Sequence, residues 1–162
     1  MRPPGVSPSN RATVGRLTVG DVMNTSPVTI AEGASVAEAV QLVATGANDL
    51  MVLASDGRFV GLLAEGDILR RALPDRDEIL AAGGTVEAAY HAFVRRGAEL
   101  GDEPIAPLVI RRPVLVVPDD HVGKVATMLV ERHMRTLAVV DGDRLVGSVS
   151  RADVCRGLLT AG

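Results

Sequence analysis

Aromatic residues are nearly missing from this chain of 162 residues: Phe59, Tyr90 and Phe93 are all there are, and tryptophan is absent. The interior must be filled by Val, Leu, Ile, Ala and Met. Few flat faces remain on which the bases of a single-stranded nucleic acid could stack. Lysine is as scarce, Lys124 being the only one, and 17 Lys+Arg stand against 20 Asp+Glu for a formal net charge of −3. With no basic excess to neutralise a phosphate backbone or an anionic bilayer, neither nucleic acid nor membrane is expected as a partner. A single cysteine, Cys155, excludes an internal disulfide, and no Cys/His cluster has metal-ligand spacing. No apolar run reaches the length of a membrane span. The opening MRPPGVSPSN lacks the apolar stretch of a secretion signal, so a cytoplasmic location is expected.

What is present is the composition of a globular protein, 47% hydrophobic and 23% charged. Residues 1–16, rich in Pro, Ser and Gly, read as a flexible leader. Beyond them the sequence repeats. Laid on itself so that Pro27 falls on Pro113, the stretch Pro27–Arg70 matches Pro113–Arg156 without a gap. The identities include Val28/Val114, Val36/Val122, Val60/Val146, Gly61/Gly147, Asp67/Asp153 and Arg70/Arg156. The apolar positions between them also correspond, as expected of a repeated structural unit.

Each copy reads as strand, helix, strand, strand, helix. The β-branched runs Val28–Ile30 and Val114–Val117 follow prolines and suit strands. Ser35 and Glu38 have capping-box spacing, and Val36, Val40 and Val43 recur at helical intervals, as do Val122, Val125 and Leu129. Strands are expected at Leu50–Leu53 and Phe59–Leu63 around the turn Asp56-Gly57, and at Leu137–Val140 and Leu145–Val149 around Asp141-Gly142. Helices follow around Asp67–Leu73 and Asp153–Leu159. Between the copies, residues 74–104 read as a helical insertion. Asp75–Ala82 and Thr85–Leu100 are its helices, the second capped by Thr85 and given an apolar face by Val86, Tyr90, Phe93, Val94 and Leu100. Cys155 reads as a small buried hydrophobe. Val154, Leu158 and Leu159 form a stripe that a second copy could cover.

This arrangement resembles a tandem CBS-domain pair, the Bateman module, from Leu17 to Leu159. The stretches that carry the resemblance are Val19-Gly20-Asp21-Val22-Met23 and the strand-to-helix ends Gly61–Asp67 and Gly147–Asp153. The resemblance implies a mixed α/β (α+β) fold of two β-α-β-β-α repeats, 17–73 and 105–162, packed sheet to sheet, with the insertion between them in the chain. It further implies clefts that bind AMP, ADP, ATP or S-adenosylmethionine, a regulatory rather than catalytic role, no required cofactor, and a homodimer serving an unidentified effector protein. The expected ligand residues are Ser150, Asp153 and Arg151 with Asp21, Val22, Asn48 and Asp49, and Asp67 with Arg135.

Two roles are open to Ser150-x-x-Asp153. The carboxylate can accept from ribose hydroxyls while the helix start receives a phosphate, or the pair can simply close its helix as a capping box. Ala64 stands where the first copy would need a hydroxyl, so its site is the poorer one. Arg135 offers a phosphate-binding fork, and His133 reads more simply as a cation at a helix C-terminus. The rival class is an interaction protein with empty clefts that works through the insertion.

Overall fold

The computed structural model describes residues 17–47 and 49–161. The expected leader, 1–16, lies outside the described residues. In chain order the elements are α1 (Val19–Val22), β1 (Thr29–Ala31), α2 (Val36–Ala44), β2 (Asp49–Leu53), β3 (Phe59–Ala64), α3 (Glu65–Ala72), α4 (Arg76–Ala81) and α5 (Val86–Glu99). Then come β4 (Leu115–Val116), α6 (Val122–Glu131), β5 (Thr136–Asp141), β6 (Arg144–Ser150) and α7 (Arg151–Thr160), with 3-10 turns at Leu100–Asp102 and Ala106–Leu108. Each repeat has the expected order and builds a three-stranded sheet, β1-β2-β3 or β4-β5-β6. The first pair of strands is parallel and the second antiparallel. The fold is mixed α/β.

The local signals act as the physics requires. Ser35 Oγ accepts from the Glu38 amide while the Glu38 carboxylate accepts from the Ser35 amide at 2.7 Å, closing both ends of a capping box at the start of α2. Asp75 and Glu78 do the same for α4, and Thr85 accepts from the Ala88 amide to start α5. Gly57 and Gly142 take φ of +84° and +63° in the two hairpin turns, a region that costs an L side chain energy. On α2 the buried arc centres on Val36 and Ala39, with Leu42 and Val43 packed beside them. Val40, expected inside, is exposed. One residue beyond Ala39 it is turned by about 100°.

The repeats differ from the gapless self-match in one place. In the antiparallel pairs Val52 faces Gly61, whereas Val139 faces Gly147. The central strand of the second copy is therefore shifted by one position relative to the match. Helix α6 has 10 residues where α2 has 9, and the following hairpin is one residue shorter. An inserted helical residue and a deleted turn residue cancel, which hides both from a gapless comparison.

The described residues fall into two compact units. One is Val28–Pro113; the other joins the residues up to Pro27 with Val114 onward. The segment leading into each repeat is thus built into the unit of the other. Val19 donates to Asp120 O and Gly20 to Pro118 O, and Thr18 and Asn24 bridge to His121 and Ser148. In the other unit Pro104 and Ile110 bridge to Ser35 and Leu62. These bridges explain the shared glycines. A Cβ on Gly147 would stand 2.7 Å from the Asn24 carbonyl oxygen, and one on Gly61 would collide with that of Ile110. Each glycine admits a backbone that its own repeat does not supply.

Each unit has an aliphatic core. Ile30, Leu50, Val52, Leu63 and Ile105 lie at the centre of one; Val19, Val116, Val125, Leu129, Leu137 and Val149 at the centre of the other. Side chains of this size contribute roughly 1.5–3 kcal/mol each when fully buried. Two expectations for α7 are corrected here. Cys155 is exposed, and Val154 belongs to the core while Leu158 and Leu159 are exposed, so the three do not form one surface stripe. Positions 154 and 155 are again separated by about 100°. On α5 the expected apolar face divides: Phe93 packs against the core, but Val86, Tyr90 and Val94 face outward.

Candidate functional site at the strand-to-helix ends

In both copies a strand runs directly into a helix, β3 into α3 and β6 into α7, with Ala64 and Ser150 as the N-cap residues. At the second, Asp153 is only 8% exposed. Its Oδ2 accepts from the Ser150 amide and the Ser150 hydroxyl, both at 2.9 Å, while Ser150 Oγ accepts from the Asp153 amide at 3.1 Å. The capping box foreseen as one of two roles is present. Asp153 Oδ1 is differently placed: its partner is the largely exposed guanidinium of Arg156, at 3.2 Å. One carboxylate oxygen closes the helix, and the other is held by a side chain that can move away into solvent.

The first copy is a reduced version. Ala64 has no acceptor to offer, so half of the box is missing, but Asp67 Oδ2 still accepts from the Ala64 amide at 3.2 Å. Asp67 Oδ1 accepts from Arg70 at 2.9 Å. Together with Pro107 and Leu108, Asp67, Arg70 and Arg71 line an open cavity of about 300 Å³. Arg70 and Arg156 were absent from the expected ligand set, although the repeat pointed to them: each is identical across the copies, three residues after the aspartate it binds.

The other expected residues take the following places. Arg151 Nη2 donates to Leu129 O at 3.0 Å, and the Arg151 amide donates to Arg135 O at 3.3 Å, so Arg151 ties the end of α6 to the start of α7. Leu129 O also receives the Met134 amide, and Val130 O that of His133, which sits at φ +51°. This is a Schellman closure with histidine in the left-handed position that glycine usually takes. His133 therefore ends α6 through its backbone. Gly46, at φ +102°, ends α2.

Val22 packs against Gly157 of α7, where a Cβ would collide with it. Asp21 accepts from the amide and the hydroxyl of Thr18, which holds its carboxyl below the ordinary carboxylate range, the backbone bond contributing most. Asp21, Val22, Arg135, Arg151, Ser150 and Asp153 thus belong to one unit; Asp67 and Asp49 belong to the other. Asp49 lies across from Ala64 in the β2–β3 register. Asn48 lies outside the described residues. Among the described residues, no group of three or more His, Cys, Asp or Glu could hold a metal ion, and no helix is long and apolar enough to cross a membrane.

Two repeats of this topology, each ending in an aspartate at a strand-to-helix junction, define a class. The CBS domain model matches residues 19–74 and 105–160, more than half of the chain. The chain belongs to the CBS-domain family, as a tandem pair. Its fold is similar to that of CBSX2, a CBS-pair protein from Arabidopsis thaliana, with a TM-score of 0.70 and 23% identity over 88% of this chain and 94% of that one. A structure of CBSX2 in complex with AMP aligns with a TM-score of 0.65 and 23% identity over 88% and 96%. A homoserine O-acetyltransferase from Methanohalophilus mahii is 41% identical over 58 residues, 35% of this chain and 12% of that protein's length.

Proposed function

We propose that this chain is a non-catalytic regulatory module that binds an adenosine-containing ligand, AMP, ADP, ATP or S-adenosylmethionine, with the Ser150/Asp153 end carrying most of the affinity. The observation that carries the reading is the division of labour within Asp153. Oδ2 is fixed by its own helix cap, which orients the carboxylate, while Oδ1 is held by a displaceable arginine and can receive a ribose hydroxyl. Arg156, once released, is a fork for a phosphate. The AMP complex of CBSX2 supports the ligand class. The module works in the cytoplasm and passes its state to an effector protein, the ligand favouring one arrangement of the chain over another.

The test is thermal unfolding of the whole chain with each of the four ligands. A ligand at a hundred times its dissociation constant stabilises by roughly 2.7 kcal/mol. In a chain of this size that is a rise in Tm of about 5–10 °C. Asp153→Asn, which keeps an acceptor for the cap but loses the charge, should remove most of the rise, and Asp67→Asn less. No shift with any of the four refutes the reading and favours the second one, an interaction module. That alternative is supported by the outward-facing Val86, Tyr90 and Val94 of the insertion.

A further inference from the structure

Helix α5 carries two parallel ridges on its outer side. Val86, Tyr90 and Val94, four residues apart, are 89%, 63% and 49% exposed. The adjoining ridge is Glu87, His91 and Arg95, in which His91 Nε2 lies 3.6 Å from the Glu87 carboxylate. Arg95 is exposed at the edge of this ridge, where it also borders the cavity against α4 with Glu78 and Glu99, and it has no ion pair with any described residue. The inner side is already occupied, by Phe93 against the core and by Arg96 bound to Glu78 and to Leu73 O.

Both ridges are complementary to themselves when reversed. About a two-fold axis at the level of Tyr90, an antiparallel copy of α5 places Val86 against Val94 and Tyr90 against Tyr90. Such an axis keeps the charged ridges on the same side of the helix pair, so Glu87 of each copy meets Arg95 of the other. A parallel pairing about an axis along the helices would put the two charged ridges on opposite sides of the pair, where Glu87 and Arg95 cannot meet. Ridges of this four-residue spacing interdigitate in the commonest class of helix packing.

We propose that the outer face of α5 is an interaction surface whose occupant is α5 of a second copy of this chain, antiparallel and in that register. A two-fold contact of this kind is self-complementary by construction. One helix of 14 residues is about 21 Å long. A single pair of them covers less than the roughly 1,200 Å² of a stable standing interface. The association is therefore weak and depends on concentration, a contact that a tether or a ligand-driven rearrangement can make or release.

The test places a cysteine on the axis: Tyr90→Cys in a Cys155→Ser background, oxidised in the full-length protein. Expected is a disulfide-linked pair, while Glu99→Cys, more than two turns from the axis at the end of the helix, links little. In the Tyr90→Cys background, Glu87→Arg or Arg95→Glu alone should lower the yield several-fold, and the two together should restore it. All of these positions are exposed, so the unfolding midpoints of the reduced variants serve as the fold control. Equal linking at 90 and 99, no linking at 90, or a double charge exchange no better than either single one would overturn the proposal. None of these outcomes depends on whether a nucleotide binds.

Discussion

Replacing Asp153 with alanine removes the acceptor that the amide and hydroxyl of Ser150 share. Both donors lie 2.9 Å from Oδ2 in a nearly buried position. A donor stranded there costs about 1–3 kcal/mol. The hydroxyl can turn to another acceptor, so the amide counts in full and the hydroxyl in part. Loss of a carboxylate from the first turn of a helix adds about 0.3–1 kcal/mol. The exposed Arg156 pair adds little, since such pairs are worth about 0–1 kcal/mol. The expected loss is about 2–3 kcal/mol, larger than a simple N-cap replacement. Asp67→Ala should cost less, because its Oδ2 holds the Ala64 amide at 3.2 Å and no hydroxyl. The assay is urea unfolding followed by far-ultraviolet circular dichroism, since a chain without tryptophan gives little fluorescence. Adding Ser150→Ala to Asp153→Ala should cost much less than Ser150→Ala alone, with coupling of about 0.5–3 kcal/mol. An Asp153→Ala stability within about 0.5 kcal/mol of wild type, or strict additivity with Ser150→Ala, would refute the account of the cap.

Two further outcomes follow from other contacts. Gly147→Ala drives a methyl into the Asn24 carbonyl and should destabilise by about 1–3 kcal/mol. Gly66→Ala, on α3 with nothing within 4 Å, should stabilise by roughly 0.5–1 kcal/mol; paired urea midpoints check the contrast. Acid should weaken the unit that holds α1, because the carboxyls of Asp21, bound by Thr18, and Asp120, bound by the Val117 amide and Lys124, both sit below the ordinary range. A depressed folded value means that the unfolded chain binds more protons. Their contribution is complete above about pH 4 and is lost as pH falls through the folded values. Asp21→Asn combined with Asp120→Asn should flatten that part of the curve of stability against pH.

The repeat and the turn chemistry made the order of elements legible in the sequence. Ser35, Thr85, Gly57 and Gly142 act over three or four residues, and such local bonds can be read from spacing alone. The candidate site was legible in part. Ser150 and Asp153 declared themselves by the same three-residue spacing, but a capping box and a ribose site share that pattern, and only the bonds to each carboxylate oxygen separate the two uses. Arg70 and Arg156 went unread because an identity says that a residue matters without saying what it touches. The sides of α2, α5 and α7 were misjudged at Val40, Tyr90 and Cys155. An apolar side chain one position from the buried arc carries no mark of which way it turns.

The interleaving of the two units also orders events along the chain. Val28–Pro113 is continuous, so everything it needs is present once Pro113 has been made. The other unit is split: α1 waits with Val19 uncovered until Val114 and the strands beyond it arrive some ninety residues later. One unit can therefore be complete at a stage of synthesis when its neighbour is not. A stop codon or protease cut between the repeats would leave neither unit whole. It would strip Ile105 and Ile110 from one half and Val19 and Asn24 from the other, leaving each without a segment that the missing piece carries.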